Sequence, residues 1–409
     1  MKMEIQKMAI KKIGNTKYSG IILFLLVLIT GGISFLYWPG GINRWIVRLM
    51  AFLMLLFIVK NNSSPSFHFK KIVLFLAFYP FVTIVTSAIF WKQSVYTSIN
   101  VLLPHMLWLL YFPLHKYSLS EKEIYKSFLL FSLLILFLQV VQQFTYPDVY
   151  WGVYSEEAMV NMNRTEIVDT RNGIYRFRLD ENSYTTVFVL LYCLDLLKSK
   201  FSIKSLLVVM LMFVSVYLTL TRQVMASCFF VVLLSLLGKN FFSFRILLFL
   251  LILALIGWNY YDFLFEDMTS QSKEDLDDDN IRILSYLFYF ELIVANFVSF
   301  LFGNGMWGGE SPFAKLADTW QFDMGLYTVD IGFVGFWFHY GLLYIMIFIY
   351  VNYILLVKYN RVLPNYIKYT VLFTLLMSPM IFPYWGVFCY FYWPFILYIC
   401  DLHINKKLV

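Results

Sequence analysis

Charge is what this sequence has least of. Only 14% of its 409 residues are Asp, Glu, Lys or Arg, and 60% are hydrophobic; a soluble globular domain carries roughly 25% charged residues. A water-soluble fold of this size has no way to hide so much apolar surface, so that class is excluded. Cysteine is scarce as well. Cys193, Cys228, Cys389 and Cys400 all lie in apolar runs without CxxC or Cys/His spacing, and they read as small hydrophobes rather than metal ligands or disulfide partners. No GxGxxG follows a strand pattern, which removes the usual signature of a nucleotide site. The basic start, Met1 to Lys17, is not followed by a small-residue cleavage site, so the apolar run from Gly20 is expected to be a first span and not a removable signal.

What the chain has instead is apolar runs along its whole length. A spanning helix needs about 20 mostly apolar residues. We read twelve such runs: about 19–37, 45–59, 72–90, 98–114, 124–143, 183–198, 203–221, 223–238, 241–264, 329–356, 368–384 and 386–402. The expected fold is all-α, a polytopic integral membrane protein that forms one membrane domain over 1–409. Segment 282–302 is a thirteenth candidate.

The charges orient this map. The N-terminus holds Lys2, Lys7, Lys11, Lys12 and Lys17, and every second loop after it is basic: Lys60/Lys70/Lys71, Lys116/Lys122/Lys126, Lys198/Lys200/Lys204, Lys239/Arg245, Lys358/Arg361/Lys368 and Lys406/Lys407. Together these loops hold 21 of the 32 Lys and Arg. Basic loops stay in the cytoplasm, so both termini are expected there. Counting 282–302 as a full span would put Lys358, Arg361 and Lys368 outside, so a re-entrant or surface-lying amphipathic helix is expected. Two long extracytoplasmic loops remain, 142–182 and 262–328, and most of the acidic residues lie in them. Long loops on a rigid scaffold are where chemistry concentrates.

The first loop ends NRTEIVDTRNGIYRFRLDENSY, with Arg164, Arg171, Arg176 and Arg178 before Asp180, Glu181, Asn182 and Tyr184. Arg176 and Arg178 are two apart, so an extended strand presents both on one side. The planar guanidinium fork matches phosphate oxygens; contact with lipid headgroups is the plainer reading. LTLTRQ places Arg222 where two helices meet with almost no loop, a costly position unless the group is paired or functional. The second loop carries the acidic run Asp275–Asp279, which reads as a solvated strip, then IRILSYLF with Arg282, then GNGMWGG. Gly303, Gly305, Gly308 and Gly309 permit tight turns and close backbone approach. The loop closes on TVDIGFVGFWFHYGLL, where Asp330 is either a helix cap or a site group. His339, nine residues on, reads as a packing histidine within the bundle.

RFRLDENSYTTV (176–187), the arginine of LTLTRQ (218–223), the Arg-led helix IRILSYLF (281–288), GNGMWG (303–308) and VDIGFVGFWFHYGLL (329–343), in this order and topology, resemble the Wzy-type polysaccharide polymerases of the O-antigen polymerase/ligase superfamily. The resemblance covers roughly residues 140–356. It implies glycosyl transfer between undecaprenyl-diphosphate-linked oligosaccharides at the outer face of the bacterial cytoplasmic membrane, with membrane lipids, a chain-length regulator and a flippase as partners and no nucleic acid. No cofactor or metal is called for, because the lipid diphosphate is already activated. Under that reading Arg222, Arg176, Arg178 and Arg282 meet the anionic leaving group, with Asn182 and Tyr184 beside them. Asp330, then Asp180, are the candidates to take the acceptor hydroxyl's proton. Ligases of the superfamily carry an outer-loop histidine that this chain lacks. A ligase-type transferase and a lipid-linked oligosaccharide flippase are the alternatives; a flippase would line its path with charges inside the spans.

Overall fold

The structure, a computed structural model, describes residues 18–29, 42–60, 67–145, 170–171, 174–175, 183–237 and 281–408. It is an all-α membrane protein. In chain order the helices are α1 (Ser19–Ile29), α2 (Ile42–Lys60), α3 (Lys70–Trp91), α4 (Val95–Lys116), α5 (Glu121–Thr145), α6 (Ser183–Ser199), α7 (Ile203–Leu218), α8 (Arg222–Leu236), α9 (Ile281–Val294), α10 (Phe297–Phe302), α11 (Pro312–Asp318), α12 (Thr328–Lys358), α13 (Asn365–Met377) and α14 (Val387–Leu408). Five of them, α3, α4, α5, α12 and α14, are long and apolar enough to cross a membrane. A two-residue antiparallel pairing of Thr170–Arg171 with Ile174–Tyr175 is the one strand pair among the described residues. The expected span at 241–264 lies outside them.

These helices are apolar on both faces, as a lipid environment demands. Along α12, Tyr344, Ile345, Phe348, Val351 and Leu355 are buried, while Met346, Ile349, Tyr350, Tyr353 and Val357 on the other side are each about half exposed. α14 is the central helix: an unbroken run from Phe388 to Asp401 is buried, dense with Phe, Tyr and Trp that pack on α4, α5 and α6.

The local sequence explains several ends. Ser120 and Glu123 form a reciprocal capping box at the start of α5, with Ser120 N to Glu123 Oε2 at 2.9 Å and Glu123 N to Ser120 Oγ at 3.3 Å. The run expected over 368–384 is helical only to Met377. Ser378 still has helical dihedrals, but Pro379 and Pro383 offer no N–H to continue the helical bonds, so 378–386 becomes turns. Segment 282–302 is not one helix. It breaks after Val294, and Asn296 starts α10 by accepting from Val298 N at 2.8 Å.

Polar bonds mark the two ends of the bundle. At the lysine-rich end the last two turns of α14 are tied to three other segments. Asp401, fully buried, accepts from Tyr111 and lies 3.1 Å from His115 Nε2. His403 Nε2 lies 2.9 Å from Glu121, which also accepts from Tyr366 at 2.7 Å. His68 Nε2 lies 3.1 Å from Asn405. The opposite end is gathered around Gln93, whose Nε2 donates to Met306 O at 2.8 Å and whose Oε1 accepts from Gly308 N and Ser311 Oγ.

Between those ends, α10 dips into the bundle and the chain returns to the Gln93 end. Tyr79, near the middle of α3, donates to Leu301 O at 3.3 Å. α12 is interrupted at Gly341 (φ 77°, ψ 172°), which frees carbonyls of the preceding turn. Asn304 N takes Phe338 O and Gly305 N takes His339 O, both at 2.8 Å. Gly303 and Gly341 cross with no room for a side chain: a Cβ on Gly341 would sit 2.3 Å from Leu301 O, and one on Gly303 would sit 2.4 Å from His339 O. Asn304 completes the clamp, accepting on Oδ1 from Trp91 Nε1 (2.9 Å) and Ser299 Oγ (2.8 Å).

Gly341→Ala is expected to cost about 3 kcal/mol or more, from backbone strain plus overpacking. This is read as a fall in the thermal unfolding midpoint of the detergent-solubilised protein. Gly20→Ala, with nothing within 4 Å of the added carbon, should leave the midpoint unchanged.

Candidate functional site

At the Gln93 end, the turn that follows α13 gathers three distant parts of the chain. Gln223, the second residue of α8, donates through Nε2 to Met377 O (2.9 Å) and Leu376 O (3.3 Å). Gly332 N donates to Met380 O at 3.0 Å. Tyr286 donates its hydroxyl proton to Pro379 O. Each of these residues is a close chain neighbour of a charged one: Arg222 beside Gln223, Asp330 two before Gly332, and Arg282 one helical turn before Tyr286. The turn 376–380 is therefore the shared support of the segments that carry Arg222, Asp330 and Arg282.

Each charged side chain is presented by a specific local device. Arg222 is the first residue of α8, two residues after Leu220, which holds the left-handed region at φ 48° while fully buried. A leucine there is strained by about 1–3 kcal/mol and persists only because its surroundings enforce it. Thr219 and Thr221 stitch the turn, Thr219 Oγ1 donating to Val216 O at 2.7 Å and Thr221 Oγ1 to Thr219 O at 3.2 Å. Asp330 lies in a short 3₁₀ segment, Thr328–Ile331, that opens α12, and it is exposed. Gly332 fixes that opening: at φ 25° a Cβ would sit 2.4 Å from Ser378 O. Arg282 is half-buried in the first turn of α9. Burial raises the pKa of the Tyr286 hydroxyl above its ordinary value, and the nearby Arg282 guanidinium pulls it the other way. α9 itself is anchored by Tyr289, whose hydroxyl donates to Leu326 O at 3.0 Å.

Arg222, Arg282 and Asp330 thus each lie within four residues of a group bonded to this turn. Tyr184 is placed differently. It is 2% exposed, its ring lying 6.1 Å from Phe373 and 5.8 Å from Tyr392, so it packs inside the bundle one helical turn beneath the 376–380 turn. Asp180, Arg176, Arg178 and Asn182 lie outside the described residues, as does Arg164. Among the described residues no group of three or more His, Cys, Asp and Glu could hold a metal ion.

Sequence reasoning missed the supports. Gln223, Tyr286 and Gly332 carry no motif of their own, and Ser378-Pro379 was counted inside a helix. The signal that could have found the turn was the Pro379/Pro383 pair. His339 is fully buried. Its Nδ1 is 2.8 Å from Gly305 O and its Nε2 is 3.4 Å from Thr328 Oγ1. A carbonyl only accepts, so Nδ1 carries the proton. His339 ties the glycine turn to the opening of α12. Neither a protein-family model nor a curated protein matches this chain.

Gly332→Ala is expected to push the opening of α12 away from the 376–380 turn, because the added carbon would sit 2.4 Å from Ser378 O. The thermal unfolding midpoint in detergent should fall by the equivalent of about 1–3 kcal/mol. A wild-type midpoint in that variant would show that this close fit does not hold the opening of α12.

Proposed function

We propose that this protein is a glycosyltransferase that polymerises undecaprenyl-diphosphate-linked oligosaccharide repeats into a surface polysaccharide at the outer face of the bacterial cytoplasmic membrane. The observation that supports the reading is that three segments, each carrying one of Arg222, Arg282 and Asp330, bond to one turn through Gln223, Tyr286 and Gly332 at the end of the bundle opposite the lysines. Two guanidiniums and a carboxylate on segments with a shared support suit a reaction in which an anionic group leaves and a hydroxyl proton must be removed.

The chemistry follows from that set. A hydroxyl oxygen of the incoming repeat attacks the anomeric carbon of the growing chain. The bond from that carbon to the diphosphate oxygen breaks, and undecaprenyl diphosphate leaves with the electron pair. Arg222 and Arg282 stabilise the negative charge that develops on it. Asp330 accepts the proton of the attacking hydroxyl. Arg176, Arg178 and Asn182, with Asp180 as a second carboxylate, come from the preceding loop and would extend the anion-binding wall; Tyr184 would support it from below. Twelve spans with both termini cytoplasmic would put this end outside, and the lysine-rich loops support that orientation. In the cell a flippase would deliver the repeats to this face and a chain-length regulator would set the length of the product.

In cells lacking the protein, surface glycans should collapse to single repeats with no long chains. Long chains retained on the lipid carrier would point to a ligase, and repeats trapped on the cytoplasmic side to a flippase. Restoring the gene with Arg222→Ala should leave the collapse in place, with the transfer rate down about 100-fold or more, as when one fixed donor to a developing anion is removed; normal chain length would remove Arg222 from the mechanism. Orientation is tested separately. The native cysteines are buried, so a membrane-impermeant maleimide on intact spheroplasts should label Glu310→Cys and not Lys200→Cys.

A further inference from the structure

We propose that Trp307 and Trp385 form a carbohydrate-binding subsite that takes an uncharged pyranose ring of the oligosaccharide. This inference rests on the reading above and divides its site into an anion half and a sugar half. The buried apolar residues form two clusters: a main one through most of the bundle, and a smaller one built from α9, α11 and the first turns of α12. Trp307 packs on the smaller cluster and Trp385 on the main one. The two therefore stand on opposite sides of the seam between the clusters.

The fully buried imidazole of His339 lies between them, 4.6 Å from the Trp307 ring and 4.9 Å from the Trp385 ring. Both tryptophans are half-buried, and both are on turns rather than helices at the Gln93 end. Trp385 belongs to the same 378–386 stretch whose carbonyls hold the Arg282 and Asp330 segments, so the sugar half adjoins the anion half. His339 is a positioning residue here. Its bonds to Gly305 O and Thr328 Oγ1 fix the turn that carries Trp307 against the opening of α12.

Indole chemistry selects the ligand. The face of an aromatic ring carries negative potential, which suits the weakly positive C–H face of a pyranose and repels a phosphate. The guanidiniums of Arg222 and Arg282 have the opposite preference. The pyranose is thus assigned to the tryptophans and the diphosphate to the arginines.

The test uses the full chain in lipid nanodiscs and two probes: the lipid-free repeat oligosaccharide released by mild acid from the cell's lipid-linked pool, and undecaprenyl diphosphate. Trp307→Leu and Trp385→Leu should each weaken oligosaccharide binding about tenfold, the size of one lost aromatic face, and leave undecaprenyl diphosphate binding within about twofold. Arg222→Ala should do the reverse. Unchanged oligosaccharide affinity in both Leu variants overturns the subsite. So does a wild-type protein that binds undecaprenyl diphosphate but not the oligosaccharide, which leaves the proposed function standing. Binding of neither probe by the wild type overturns both. If the Leu variants melt early, Trp307→Phe and Trp385→Phe decide: retained oligosaccharide binding supports the subsite, and its loss in folded protein overturns it.

Discussion

The structure hangs on one backbone crossing. In a hydrocarbon environment every peptide N–H and C=O must find a partner inside the protein, and each that fails costs several kcal/mol. α12 gives up helical bonds where it is interrupted at Gly341, and the glycine turn after α10 has none to begin with. Each satisfies the other: the amides of Asn304 and Gly305 bond to the carbonyls of Phe338 and His339. Only glycine at both 303 and 341 lets the two backbones come close enough. Non-helical backbone survives at such depth only where protein encloses it, and here the enclosure is supplied by Ser87, Trp91 and Ser299, all bonded to Asn304.

The candidate site follows from that clamp. Because α12 is held at residues 338–341, its opening turn is fixed relative to α9 and α10, and Gly332 can dock on Met380 O. Because α13 stops at Met377, the carbonyls of residues 376–380 are left for neighbouring segments to bond. Gln223, Tyr286 and Gly332 take them. Segments that are far apart in the chain, each carrying a charged residue, thereby share one support.

Much of this was legible in the sequence, where the governing physics is local. The apolar runs, the helix junction at Arg222 and the glycine-rich stretch at 303–309 each announce themselves through composition or spacing. The non-local features were hidden. Nothing in IRILSYLFYFELIVANFVSFLF tells which bond partners make Asn296 a helix start. The apolar run 368–384 looked continuous because Pro379 and Pro383 sit among large hydrophobic residues, yet the missing N–H groups end the helix. Tyr184 looked like a site group from its acidic, Arg-rich neighbours. Its helix register instead turns it into the aromatic packing against Phe373 and Tyr392. No motif predicts that one short turn will collect three charged segments, since that depends on tertiary hydrogen bonds to backbone carbonyls.

Reconstitution with a single substrate tests the central claim most directly. The purified protein in liposomes, given only undecaprenyl-diphosphate-linked repeat oligosaccharide and no other protein, should produce a ladder of glycans growing by one repeat. One undecaprenyl diphosphate should be released for each bond formed. A substrate that stays at single-repeat length, or that merely changes leaflet without releasing undecaprenyl diphosphate, would contradict the account.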